Sequence, residues 1–418
     1  MHASGIGQTD IGRKRESNED RLLIDNDLGL YVVSDGMGGH AGGEAAAETA
    51  VAAVERVVRD DRSKIHRVRS GRLPAEDLEK LLIKAVRGAC REVYRLAVSK
   101  PELAGMGCTL TALLVAGSKA AMAHVGDTRL YLWRRDGLHQ LSIDHTMVED
   151  LVRLGSIQRS EANTHPFANA LTRAIGSQES VHADTLCFEV LPGDRYLLCS
   201  DGLSRYVEDP MDLARRVGRS DLESIPDELI EYANQAGGRD NVTAVIVEIE
   251  FDPEAHPLAL ALSEVEVQLD VLSSVFLFED LTLAQLSRVL NSSRVETLQD
   301  QQTVVEENEP CSQLTLVLEG QFDLERDGQV VGQLTSGDYV GETTLLRRRP
   351  SRASIRAQGE GRVLVLGADA FLQLARSRPW LGVALFERLG RRLSLSADQR
   401  QEFTENDSET KEPEYGVF

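Results

Sequence analysis

The stretch YVVSDGMGGHAGGE, from Tyr31 to Glu44, constrains this chain more than any other. Three β-formers, Tyr31, Val32 and Val33, run straight into Ser34-Asp35-Gly36, so a buried strand delivers a carboxylate to its tip. Five glycines between Gly36 and Gly43 then let the backbone approach whatever Asp35 holds. The pattern returns with Asp201 after YLLCS, Asp127 after AMAHVG, and Asp240 just ahead of VTAVIVEI. Taken singly, each aspartate reads as part of a plain turn. Four of them abutting apolar strands point instead to convergence around a cation. Like charges a few ångströms apart repel by several kcal/mol unless something neutralises them.

The totals set bounds. The 418 residues suffice for two or three domains. A net charge of −21 argues against a nucleic-acid partner, since phosphate backbones would be repelled. No apolar run is long enough to span a membrane, and the polar N-terminus reads as lacking a signal peptide. The five cysteines are scattered without a CxxC pair, as expected of free thiols in a reducing, cytoplasmic setting.

Along the chain, apolar residues at helical spacing predict helices over Glu44–Arg59 and Ala75–Val98, separated by a polar, basic stretch from Arg62 to Arg72. Strands then follow in hairpin series, one with an expected turn at Asp136-Gly137, which predicts an antiparallel sheet. Residues 155–169 are polar and irregular and read as a flap over a site. Arg15, in the charged run before Asp20, reads either as a fork for phosphoryl oxygens or as a solvated surface charge.

The ordered segments TDIGRKRESNED, VVSDGMGGHAGGE, GCTLTALLV, HVGDTRLY, DHTMVEDLVRLGSI, LTRAIG, LLCSDGLSRYV and GGRDNVTAVIV resemble the bacterial metal-dependent (type 2C, PPM) protein serine/threonine phosphatases. The resemblance implies an α+β fold, an antiparallel β-sandwich flanked by helices. It implies two Mn²⁺ or Mg²⁺ ions, with room for a third, and a water between two ions that attacks phosphoserine or phosphothreonine. Asp35 would bridge both ions, Asp201 and Asp240 would complete the first site, and the Gly36 carbonyl would serve the second. Glu19 and Asp20 would meet the second ion directly or through water. Asp127 would share a third site with Asp201, and Arg15 would grip phosphate. Hard oxygen donors agree with Mg²⁺ or Mn²⁺. Some relatives carry a histidine directly after the Asp-Gly; here Met37 stands there. His40 and a metal-bound water are the two candidate acids for the leaving alkoxide, and a solvated loop histidine is the plainer reading of His40. His124 and His145 read as packing or capping residues.

After a break at Asp252-Pro253, helical patterns and crowded short strands predict a β-roll with flanking helices. The carriers LTLVLEGQFDL, SGDYVGETTLL, RRRPSRASIRA and RVLVLGADAF look like a cyclic-nucleotide-binding domain. By that resemblance Gly341 and Glu342 would meet the cyclic phosphate and the ribose. The arginine expected nine residues beyond the glutamate is replaced by Ser351, with Arg352 one later. Two readings stand: a cyclic-nucleotide sensor, or a degenerate module that docks a protein. The expected organisation is a phosphatase domain over 1–251, a linker at 252–258, the roll over 259–397 and an acidic disordered tail at 398–418. The expected partner is a phosphoprotein, with the enzyme opposing a protein kinase. The rival reading is a catalytically weak phosphatase-like scaffold in a signalling complex.

Overall fold

The computed structural model describes residues 1–391 apart from 39, 208, 251–255, 342–344, 346–349, 378–380 and 389. The side chains of 40, 41, 163, 256–263 and 377 also lie outside that description, as does the acidic tail. The chain forms two compact units, Met1–Ser263 and Glu264–Phe418.

Two five-stranded antiparallel sheets build the first unit. One has the order β1 (His2–Asp10), β12 (Val242–Glu250), β11 (Arg195–Cys199), β8 (Arg129–Arg134), β9 (Gly137–Gln140). The other has the order β10 (Asp184–Glu189), β7 (Lys119–Val125), β6 (Leu110–Ala116), β3 (Leu30–Ser34), β2 (Arg21–Asp25). A short ribbon pairs β4 (Gly36–Met37) with β5 (Gly107–Cys108). Alternation along the strands sorts the core into layers. Leu30 and Val32 pack outward with Ala47 and Val54 of α1 (His40–Asp60) and Leu78 and Leu82 of α3 (Glu76–Ser99). On the other side Val242, Ala244 and Ile246 pack with Leu213 of α6 (Pro210–Val217) and Leu229 of α7 (Ile225–Gln235). Between the sheets lie Tyr31, Val33, Val245 and Val247, with the Phe188 and Tyr196 rings 5.7 Å apart. A Cβ on Gly5 would come within 2.3 Å of the Tyr31 ring, so glycine sets how closely β1 meets that layer. The result is a sandwich with helices on both outer faces. Its strands therefore read as continuous apolar runs although they are antiparallel.

Register brings the chemistry to one rim. Val33 pairs with Thr111, Leu110 with Val125, and Cys199 with Ala244. The C-terminal ends of β3, β7 and β11 and the N-terminal ends of β2 and β12 therefore share one edge of the sandwich. Asp35, Asp127, Asp201, Asp20 and Asp240 follow or precede those ends.

The second unit is a six-stranded antiparallel roll. β13 (Arg294–Leu298), β18 (Ser354–Gly367), β15 (Gln313–Arg326) and β16 (Gln329–Leu334) run in that order. β14 (Thr303–Val305) pairs with β18, and β17 (Tyr339–Val340) with β15. One face, through Leu314, Leu316, Leu364 and Leu366, packs with Leu272 of α8 (His256–Ser274) and Val289 of α9 (Leu283–Asn291).

Four details differ from the sequence reading. A helix α2 (Arg62–Arg69) forms in the basic stretch because Ile65 and Val68, three apart, share one buried face. The β8–β9 turn is Arg135-Asp136, both at positive φ, because Gly137 already pairs with Arg134. The strands expected at ASIRA and RVLVLG are one continuous β18. The expected linker at 252–258 lies outside the described residues up to 255, and from His256 onward the chain is helical.

Candidate active site

Asp35 leaves β3 held by Thr109, the residue between β5 and β6. The Asp35 N–H donates to Thr109 Oγ1 at 2.9 Å, and the Thr109 N–H donates to the Asp35 carbonyl at 2.8 Å. The Ser34 hydroxyl closes the clamp on the Thr109 carbonyl at 2.7 Å. Gly36 then passes so close to α1 that a Cβ there would sit 2.2 Å from the Gly43 carbonyl oxygen. A Cβ on Gly43 would strike the Glu19 carboxylate, so the glycines are required by close approach rather than flexibility.

Asp20, 1% exposed, lies behind the rim. Its Oδ2 accepts from the Ser200 hydroxyl at 2.7 Å and from the Thr243 hydroxyl at 2.6 Å. Burial above all, together with Asp201 and Asp240, pushes its carboxyl up to about 7 despite those two bonds. Glu19, also buried, is positioned by its N–H donating to Asn241 Oδ1 at 2.8 Å. Asn241 in turn donates to the carbonyls of Ile11 and Ser17 at 3.0 and 2.9 Å, pinning the N-terminal loop.

Four carboxylates line a cavity of about 370 Å³: Asp35, Asp127, Asp201 and Asp240, with Arg15 and Arg205 beside them. Burial and then mutual repulsion raise Asp35 well above the usual carboxylate range and push Asp127 up to about 8. Asp201 is raised too, first by burial. Two arginines pair directly with these acids. Arg15 Nη2 lies 2.7 Å from Asp240 Oδ2, and Arg205 forms an ion pair with Asp201 Oδ2, one helical turn away. Among the described residues, no three His, Cys, Asp or Glu side chains are drawn together as tightly as a ready-made metal cage. The acids stand around the cavity walls instead.

The donor set nevertheless fits hard divalent ions. It is all oxygen, and Asp20 Oδ1 and Asp201 Oδ1 are buried oxygens without a hydrogen-bond partner. A buried carboxylate oxygen left unpaired is costly unless a cation meets it.

The remaining expected residues divide. Gly36 lines the cavity with Met37. His40 begins α1, and its side chain lies outside the described residues. His124 and His145 are buried with rings 4.8 Å apart. The Gly126 N–H donates to His145 Nδ1 at 3.1 Å, and burial lowers His124 to about 3, so that ring stays neutral. Both therefore pack and cap. The irregular segment 155–169 contains a short 3₁₀ turn, Arg159–Thr164, and its end, Asn169, reaches the cavity wall. All five cysteines are free, four of them buried.

In the second unit Gly341 is described, at a φ of +97°, whereas Glu342 lies outside the described residues. The Ser351 hydroxyl donates to the Ala353 carbonyl at 2.7 Å, closing its own loop, and Arg352 is exposed.

Sequence reasoning missed Thr109, Asn241, Ser200 and Thr243, which hold the acids, and Arg173 and Arg205, which line the cavity. Only Arg205 carried a local signal, its four-residue spacing from Asp201 in a turn of helix.

Residues 8–245 match the family model described as Protein phosphatase 2C, and residues 295–378 match that described as Cyclic nucleotide-binding domain. The serine/threonine phosphatase stp of Listeria innocua is 37% identical over 252 residues, covering 59% of this chain and 96% of its own length. A crystal structure of the Mycobacterium tuberculosis serine/threonine phosphatase PstP/Ppp is 35% identical, with a TM-score of 0.54, over 60% of this chain and 100% of that one. The PstP catalytic domain in complex with two manganese ions is 34% identical, with a TM-score of 0.53, over 60% of this chain and 99% of that one.

Proposed function

This chain belongs to the protein phosphatase 2C family and is a protein serine/threonine phosphatase, and from that premise we propose which of its residues do the work. The observation that carries the reading is the shared rim, where strand ends from both sheets set Asp35, Asp127, Asp201 and Asp240 around one cavity. Asp35, Asp201 and Asp240 and the Gly36 carbonyl would hold two Mn²⁺ or Mg²⁺ ions, with Glu19 and Asp20 behind them and Asp127 serving a third position with Asp201. When bound, such a pair supplies an activated water and offsets negative charge on the phosphoryl group.

The chain's own residues do the rest. Thr109 fixes the Asp35 backbone from two sides, so the carboxylate is aimed before substrate arrives. Ser200 and Thr243 hold one Asp20 oxygen and leave the other buried and without a partner. Arg15, half-exposed and within reach of the cavity, exchanges Asp240 for a phosphate, whose paired oxygens suit its planar fork. Proton delivery to the leaving alkoxide falls to His40 or to water, since Met37 has no proton to give.

The substrate is a phosphoprotein, and the enzyme opposes a protein kinase. We read the second unit as regulatory, sensing a cyclic nucleotide or a protein partner. The engaged Ser351 hydroxyl and the exposed Arg352 favour the partner. Addition of cyclic AMP or cyclic GMP to the full chain tests this. A rise in the melting temperature of the second unit would restore the nucleotide reading.

The deciding assay for the phosphatase site is Mn²⁺-dependent phosphate release from a phosphothreonine peptide. Asp35→Asn should lower it by roughly 10²–10³-fold or more. Undiminished release would overturn the assignment, and absence of release from the unaltered chain would favour a phosphatase-like scaffold.

A further inference from the structure

Asp201 presents two different oxygens. It is 8% exposed, its Oδ1 has no partner, and its Oδ2 is held by the Arg205 guanidinium. Arg205 differs from its partner in burial: its side chain is 39% exposed against 11% for Asp201. The guanidinium can be rehydrated when it leaves, whereas the carboxylate cannot. Both ends belong to one turn of backbone, the Arg205 N–H donating to the Asp201 carbonyl at 3.0 Å, so the arginine stays at high local concentration beside the acid.

We propose that Arg205 is a tethered competitor for the divalent ion at Asp201: it offsets charge in the metal-free cavity and must be displaced before Oδ2 can meet a cation. This rests on the cation-binding reading above. The arginine thereby sets how tightly the ion is held, independently of catalysis. A site whose carboxylate is free only part of the time binds with an apparent dissociation constant raised by the reciprocal of that fraction. One charge-assisted bond of ordinary strength corresponds to roughly a tenfold factor.

The test is calorimetric titration of Mn²⁺ into the metal-stripped full chain, with Arg205→Gln and Arg205→Lys beside the unaltered protein. Arg205→Gln should bind Mn²⁺ about tenfold more tightly in at least one resolved step, and Arg205→Lys, which keeps the charge but not the fork, should fall between. In chelator Arg205→Gln should melt at a lower temperature than the unaltered chain, and saturating Mn²⁺ should erase the gap. Equal affinities across all three proteins, or weaker binding by Arg205→Gln, would overturn the proposal while leaving the metal site intact. If the unaltered chain takes up no Mn²⁺ at all, the cation-binding reading itself falls, and this inference with it. Should Arg205→Gln not fold, the comparison with Arg205→Lys decides alone.

Discussion

Replacing Asp20 by Asn in the metal-free protein gives a stability difference whose sign depends on pH. In the fold the Asp20 carboxyl is raised from 3.8 to about 7, mainly by burial. A group raised in this way favours the fold fully below its unfolded value, and the contribution is lost as pH climbs toward the folded value. The window therefore runs from about 4 to about 7. Between pH 5 and pH 8 the wild type should lose about 2–3 kcal/mol relative to Asp20→Asn. The asparagine Oδ1 still accepts from Ser200 and Thr243, while its new N–H₂ meets the place where Oδ1 had no partner. That penalty is the same at both pH values and cancels. For a domain of this size the difference corresponds to roughly 5–10 °C in melting temperature. Scanning calorimetry in chelator, following the transition of the first unit at pH 5 and pH 8, measures it. Asp20→Asn should gain on the wild type as pH rises, and Mn²⁺ should reverse the order at pH 8. An offset independent of pH, or one that grows against the variant, refutes the idea that Asp20 is held at the expense of stability for a cation.

Two further outcomes follow from the geometry. Arg15→Ala should lower kcat/KM on a phosphothreonine peptide by about 10–100-fold, from the loss of one charge-assisted contact, with far-UV circular dichroism unchanged. Gly36→Ala should destabilise the first unit by about 1–3 kcal/mol, because its Cβ meets backbone at Gly43 rather than a movable side chain, and thermal melts would reveal this.

The strand ends carried most of what could be read in advance. Tyr31-Val32-Val33 ahead of Asp35 and YLLCS ahead of Asp201 are apolar runs that stop on an acid, and both become buried strands with that acid at the tip. What escaped depends on pairing between distant segments. Ser200 and Thr243 look like unremarked polar residues until β11 and β12 pair and bring both hydroxyls to Asp20. The basic stretch hides its helix because two apolar residues, Ile65 and Val68, are too few to show a period. The turn at Arg135-Asp136 was masked by the stronger Asp136-Gly137 signal one position along, and strand register overrode local preference. Arg205 was passed over because charge on a short helical turn is ordinarily a solvated face.

Because the reactive groups crowd one rim, the turns at the opposite ends of the same strands lie well away from them. There the β6–β7 hairpin turns at Gly117-Ser118 and the loop at Pro192-Gly193 enters β11. A seven-residue strand separates that hairpin from the Asp127 end, a span of about 20 Å. The hairpin turn at Gly117-Ser118 is therefore the place where a fluorescent reporter or an affinity tag should be tolerated, with Mn²⁺-dependent phosphate release from a phosphothreonine peptide as the check.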